Sequence, residues 1–280
     1  MHIRVSCSPD ADDLFMMRAL LEGLVDTGPY TFEIGTAPTD ALNRIASGDD
    51  APEVVAISIA HLPMVNARYQ LLPHGGSMGE GYGPVVIANE PMSTGDLRGK
   101  RVAVPGLTTS AWATLQLMQP DLLPVVVPIV PYTGIFDALR EGRVDAGLII
   151  HEGRLTYESL GFTRVCDLGE WWAGETGGLP LPLGGNTIAR RLGPEHVRNV
   201  SELLRASIQH ALDHRDDAIA WLLEGDTALR TPDALSRYLD MYANARTLDY
   251  GEAGREAIRQ FFARTSAAGI LQPVTVDFAP

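Results

Sequence analysis

A histidine stands where an apolar run ends, in Gly147-Leu148-Ile149-Ile150-His151-Glu152-Gly153-Arg154. Residues 144–150 are short-run, β-branched and mostly uncharged, the pattern of a strand buried on both faces, and 154–160 read as the helix that follows. His151 therefore falls at the carboxyl end of a strand. Open α/β sheets gather their loops and ligands at that edge, so an imidazole there is well placed for proton transfer. The same position also suits a histidine that only caps the next helix or pairs with a neighbour.

Three other strand-to-helix turns carry groups that could hold a polar acid. Ser8-Pro9-Asp10-Ala11-Asp12-Asp13 sets three carboxylates before a helix, and Asp13 is the candidate ligand contact among them. Aspartate is also a favoured N-cap and suits the positive end of a helix, so the turn has a purely structural use. Ser58-Ile59-Ala60-His61 offers the Ser58 hydroxyl and amides at a helix start. Pro105-Gly106-Leu107-Thr108-Thr109-Ser110-Ala111 combines hydroxyls with unpaired N–H groups, which receive a carboxylate without Lys or Arg. Thr109, Ser110 and Ala111 are the candidates there, one hydroxyl serving as the cap. Three such binders opposite one base make a site for a polar acid of modest size.

The elements that must position these residues repeat. The first pass reads strand His2–Cys7, helix 13–25, strand 30–36, helix Thr39–Ser47, strand 53–57, helix 60–67 and strand 69–73. The second reads strand Arg101–Val104, helix 109–118, strand 124–130, helix 133–140, strand 146–150, helix 154–160 and strand 163–168. Both have the order βαβαβαβ. Asp40-Ala41-Leu42, followed by Gly48 and a strand, recurs as Asp137-Ala138-Leu139, followed by Gly142 and a strand. Each is a helix stopped by glycine that feeds a β-branched strand ending at a candidate, Ser58 or His151. Matching order points to duplication.

Two parallel-sheet lobes need connections. The glycine-rich segment 75–84 leads into a strand at 85–88 and does not have dinucleotide or P-loop spacing, so it reads as a hinge. The return is Leu181–Ala189, extended and broken by glycines. Helices at 194–214, 216–223, 232–245 and 252–268 then close the fold on the first lobe, with Leu203, Leu204, Ile208 and Leu212 at helical spacing. The expected lobes are 1–87 with 181–280, and 88–180, with a ligand cleft between them.

Composition narrows the function. A chain of 280 residues, 45% hydrophobic, can bury a substantial core in two domains. A formal net charge of −13 without a run of Lys or Arg argues against a nucleic-acid partner. Cys7 and Cys166 are too few for a disulfide framework and fit buried thiols in a reducing cytosol. No metal-ligand spacing is visible. The start at Met1-His2-Ile3-Arg4 has no cationic segment, apolar stretch or cleavage site, and no run approaches the ~20 apolar residues that span a bilayer. The expectation is a cytoplasmic protein without a membrane role.

Ile149-Ile150-His151-Glu152 with Arg154-Leu155-Thr156-Tyr157, then Asp167-Leu168-Gly169-Glu170-Trp171-Trp172, then Leu179-Pro180-Leu181-Pro182-Leu183-Gly184-Gly185, resembles the 1,4-dihydroxy-6-naphthoate synthase family of the futalosine route to menaquinone. Ser8-Pro9, Asp13, Phe15, the 75–84 loop and Val102-Ala103-Val104-Pro105-Gly106 with Thr109 extend the likeness over nearly the whole chain. The resemblance implies the α/β, two-lobed fold of type II periplasmic binding proteins, used as an enzyme. It implies a cofactor-free lyase that converts cyclic dehypoxanthinyl futalosine to dihydroxynaphthoate, with His151 as proton acceptor and Ser58 and Ser110-Ala111 as substrate contacts. The sister family, chorismate dehydratase, is less similar around the tryptophans.

Two departures stand out. The family commonly shows Pro-Cys-Pro-Asn-Asp where this chain has Pro9-Asp10-Ala11-Asp12-Asp13, and often a lysine where Ala56 stands. Both changes make the site more negative, which repels an acidic substrate unless helix-start donors compensate. The alternatives to the enzyme are a paralogue acting on another organic acid and a non-catalytic solute-binding protein for small carboxylates. A ligand-sensing regulatory domain is disfavoured by the lack of a DNA-binding segment. Trp171 and Trp172 suit either stacking on an aromatic substrate or lobe packing.

Overall fold

A computed structural model describes residues 1–129, 133–225, 227 and 229–280. The chain divides into two compact units, 1–78 with 184–252 and 274–280, and 79–183 with 253–273.

The first unit opens with β1 (His2–Cys7), α1 (Ala11–Leu21), β2 (Thr31–Thr36), α2 (Thr39–Ser47), β3 (Val54–Ser58), α3 (Leu62–Val65) and β4 (Tyr69–Leu71). After β5 (Ser77–Gly79), the second unit runs β6 (Val85–Ala88), β7 (Arg101–Val104), α4 (Ser110–Met118), β8 (Leu123–Val126), α5 (Gly134–Arg140), β9 (Ala146–Ile149), β10 (Thr163–Asp167) and α6 (Leu168–Thr176). The return strand is β11 (Leu181–Ala189), followed by α7 (Pro194–Asp213), α8 (Arg215–Glu224), α9 (Pro232–Tyr242), α10 (Ala245–Leu248) and α11 (Gly251–Ala267).

The two sheets repeat one topology. The first has the order β2-β1-β3-β11-β4 and the second β10-β6-β9-β7-β8, which is the same arrangement written in reverse. In each, three strands are mutually parallel and the crossover strand, β11 or β6, enters antiparallel beside the third. The fourth strand of each repeat pairs with that intruder and not with its own predecessor. The order of strands thus holds in both repeats, while the last helix of the second and the purely parallel sheets expected from the sequence do not.

Several boundaries also move. The helix expected at 154–160 is a 3-10 turn, His151–Leu155, followed by further turns, and His151 itself leaves β9 in the left-handed region. The helix expected at 60–67 is a 3-10 turn, Ile59–His61, and the one-turn α3 with a proline in its first turn. The strand expected at 124–130 ends at Val126, and its last position, with 131 and 132, lies outside the described residues. Asn244 caps α10, which ends the long helix expected at 232–245 early.

Each unit has its own core. In the first, Ile3, Val5, Val54 and Ile188 of the sheet meet Met17 and Leu20 of α1 and Val200 and Leu204 of α7. In the second, Val85, Ala103 and Ile149 meet Ile135, Phe136 and Leu139 of α5. Each such Val, Leu, Ile, Met or Phe side chain taken from water contributes roughly 1.5–3 kcal/mol. The C-terminal α11 sits largely with the second unit, where Phe261 packs edge-on to Trp172 and Arg264 donates to the Glu175 carbonyl. The boundary read from sequence places everything after 181 with the first lobe, whereas 253–273 belong to the second unit.

Candidate active site

In the second unit, β9 and β7 are parallel neighbours, so the residues that follow them emerge at one carboxyl edge. His151 follows β9, and the 105–109 loop leading into α4 follows β7. Ile150 continues extended at φ −122°, and His151 then turns to φ 54°. It is the one non-glycine residue in the left-handed region among the described residues. That conformation costs an L-residue roughly 1–2 kcal/mol and persists only where the surroundings impose it.

The surroundings are an anchored bracket. Three residues on, Arg154 Nη1 donates to the Gly83 carbonyl at 2.6 Å and to the Asp167 carboxylate. Asp167 is the N-cap of α6 and also accepts from the Gly169 and Glu170 amides at 2.8 and 3.2 Å. The guanidinium lies 5.7 Å from the centre of the Tyr82 ring. Residue 169 must be glycine, because a Cβ there would stand 2.0 Å from the Tyr82 carbonyl. The chain after His151, the end of the glycine-rich loop and the start of α6 are therefore one fixed cluster.

At the neighbouring edge, Thr109 is the N-cap of α4. Its Oγ1 accepts from the Trp112 amide at 3.2 Å and donates to the Gly106 carbonyl at 2.9 Å. Ser110 Oγ donates to the Leu183 carbonyl at 2.5 Å. Both hydroxyl protons are thus committed within the unit. What the turn offers a ligand is the Ser110 oxygen as an acceptor and first-turn amides such as that of Ala111 at the positive end of α4.

In the first unit, β1 and β3 are the parallel neighbours, and the acidic turn and Ser58 share their carboxyl edge. Ser58 is gripped twice by the fully buried Asn43 of α2. Its amide donates to Asn43 Oδ1 at 2.9 Å, and Asn43 Nδ2 donates to its Oγ at 3.2 Å. With that lone pair filled, the Ser58 O–H is set to donate. Asn43 was not singled out from sequence. Its signal was a carboxamide beside Leu42 and Ala46 on the buried face of a short helix.

The acidic turn is largely self-contained. Asp10 is the N-cap of α1 and accepts the Ser8 hydroxyl. Asp13 accepts the Ser8 amide at 2.6 Å, and Asp12 accepts from Ser77 Oγ at 2.8 Å and from the Tyr238 hydroxyl at 3.0 Å. Burial, and then the charge of Asp12, pushes the Asp13 carboxyl well above the usual carboxylate range. The same burial and neighbouring carboxylates raise the Cys7 thiol, so it stays protonated. Ala56 lies opposite Asn186 of β11. Trp172 is fully buried and donates to the Pro180 carbonyl at 3.0 Å, which makes it a packing residue, whereas Trp171 is half-buried.

Residues 3–267 match the family described as menaquinone biosynthesis. The chain belongs to that family. Among its relatives, a 1,4-dihydroxy-6-naphthoate synthase of Thermus thermophilus is 37% identical over 97% of this chain and 96% of its own. One of Streptomyces coelicolor is 34% identical over 98% of this chain and 96% of its own. A crystal structure of an Archaeoglobus fulgidus protein superposes with a TM-score of 0.88 at 37% identity, covering 96% of this chain and 98% of that one. The alkanesulfonate-binding protein of Xanthomonas axonopodis shares the fold at a TM-score of 0.70 and 16% identity, covering 99% of this chain and 96% of its own. The family thus carries the α/β two-sheet fold of periplasmic binding proteins, as expected from the sequence. No described helix of this member is long and apolar enough to cross a membrane.

Proposed function

We propose that this chain is a 1,4-dihydroxy-6-naphthoate synthase, a lyase without a cofactor that acts on cyclic dehypoxanthinyl futalosine, with His151 as general base. The observation that carries the reading is the left-handed backbone at His151, held by the Arg154–Asp167 bracket. Strain of this kind collects at sites where one side chain must be aimed. The imidazole takes the proton beside an activated carbonyl, the general-base step. The Ser110-Ala111 turn at the start of α4 holds a substrate oxygen with its amide dipoles, and Ser58 donates a further hydrogen bond. Thr109 serves this site as the cap that fixes the turn, and Asp13 as the residue that fixes the Ser8 amide beside Ser58's strand.

Two relatives with the synthase name, each more than 30% identical over nearly the whole chain, support the reaction. A cytoplasmic enzyme is part of the same reading, in keeping with the two free thiols Cys7 and Cys166. The test is incubation of purified protein with cyclic dehypoxanthinyl futalosine, following dihydroxynaphthoate by mass spectrometry. Product is expected; folded protein that gives none sinks the assignment and leaves the non-catalytic organic-acid binder.

A further inference from the structure

Asn186 lies on β11 directly opposite Ala56 of β3, and Gly184 lies opposite Ser58. Positions two apart on a strand share a face, so the Asn186 carboxamide and the Ser58 hydroxyl belong to neighbouring places on one face of the first unit's sheet. Asn186 is 1% exposed, yet its Oδ1 is buried with no hydrogen-bond partner among the described residues. Buried amide oxygens are nearly always paired, and leaving one orphaned lowers stability. The backbone nevertheless makes room for this amide. Residue 75 is a glycine at φ 72°, and a Cβ there would stand 2.3 Å from Asn186 Nδ2. A leucine of similar size would fill position 186 without an orphaned oxygen.

The chemistry of the orphan selects its partner. An amide oxygen accepts, so a carboxylate cannot satisfy it, whereas a hydroxyl or an N–H can. Ser58 already accepts from Asn43 Nδ2, so it has a proton to give. A hydroxyl is the group that can give to Asn186 and take from Ser58 together. The buried carboxylates Asp10 and Asp12 on the neighbouring turn also disfavour an anion in this unit.

We infer that Asn186 and Ser58 form a subsite that reads a hydroxyl of the bound aromatic acid, with its carboxylate received elsewhere. This rests on the synthase reading, whose product carries two ring hydroxyls besides its carboxylate. It makes Asn186 a specificity-determining residue.

The test compares parent, Asn186→Leu and Asn186→Asp protein in two measurements. One is the urea midpoint without ligand. The other is Kd by calorimetry for 1,4-dihydroxy-6-naphthoate and for naphthalene-2-carboxylate, which lacks the hydroxyls. The parent is expected to prefer the dihydroxy acid by about tenfold or more. Asn186→Leu should unfold at higher urea and lose that preference while binding naphthalene-2-carboxylate as the parent does; Asn186→Asp, which keeps an acceptor, should retain the preference. A lower urea midpoint for Asn186→Leu, equal losses for both acids, or an unchanged preference would overturn the inference. A parent that binds neither acid overturns the synthase reading instead, and the urea comparison still decides by itself whether the amide is held unsatisfied.

Discussion

Arg154 and Asp167 meet in a buried ion pair that spans the turn after His151 and the cap of α6, the Asp167 side chain being fully shielded from solvent. The pair matters less for net stability than for geometry, since the desolvation of both charges offsets much of their attraction. Breaking it from one side is another matter. Arg154→Met leaves the Asp167 carboxylate buried with only the two cap amides, and a loss of about 3–5 kcal/mol in urea unfolding is expected. Arg154→Lys keeps the charge but not the guanidinium over the Tyr82 ring, and should fall between. Equal stability of all three would show that the bracket does not hold the turn.

Asn43 and Ser58 should act as one unit. Asn43→Ala frees the Ser58 hydroxyl to rotate, and Ser58→Ala removes it. Each should raise KM by about tenfold, the scale of one lost hydrogen bond. The double variant should fall short of the sum of the single ones, because both changes disturb the same Ser58 hydroxyl, Asn43→Ala alone also stripping the Ser58 amide of its acceptor. Additive effects in a steady-state double-mutant cycle would count against the coupling.

His74 makes stability depend on pH. It is buried, its Nε2 bonded to Ser201 Oγ at 3.1 Å, and burial with the nearby Arg205 charge lowers its pKa from 6.5 to about 4. The unfolded chain therefore binds the proton more readily between those values, so stability is full above pH 6.5 and falls as pH drops toward 4. The shift corresponds to about 3 kcal/mol over that window. His61, lowered by burial, adds to the same slope, while Asp13, raised by burial, opposes it. Urea midpoints from pH 4 to 7 should therefore show a shallower slope for His74→Gln than for the parent. Identical slopes would contradict the assignment.

Much of this was legible in the chain. The strand that ends at His151 showed in its β-branched run, and the duplicated order showed in helices stopped by glycine. Ser58 and the Thr109-Ser110-Ala111 turn could be marked as candidates because a hydroxyl between a strand and a helix either caps the helix, as Thr109 does, or is left to bind. The antiparallel entry of β6 and β11 was not, since an apolar run states that a strand is buried but not which neighbour it pairs with. Nor was the backbone of His151: nothing in the type of a histidine announces a positive φ. Asn43, Asn186 and the Arg154–Asp167 bond were hidden for a related reason. A polar residue's partner lies far away in sequence, 15 positions between Asn43 and Ser58, and only the packed fold brings them together.

His151 carries the central claim, and its backbone suggests the cleanest variant. Asparagine tolerates the left-handed region better than most residues and cannot serve as a general base. Turnover of cyclic dehypoxanthinyl futalosine by parent and His151→Asn protein, with urea midpoints measured on the same samples, separates chemistry from folding. Matching midpoints and a fall in kcat of about 10²–10⁴ are expected. A His151→Asn protein that is equally stable and turns over at the parent's rate would show that the base lies elsewhere.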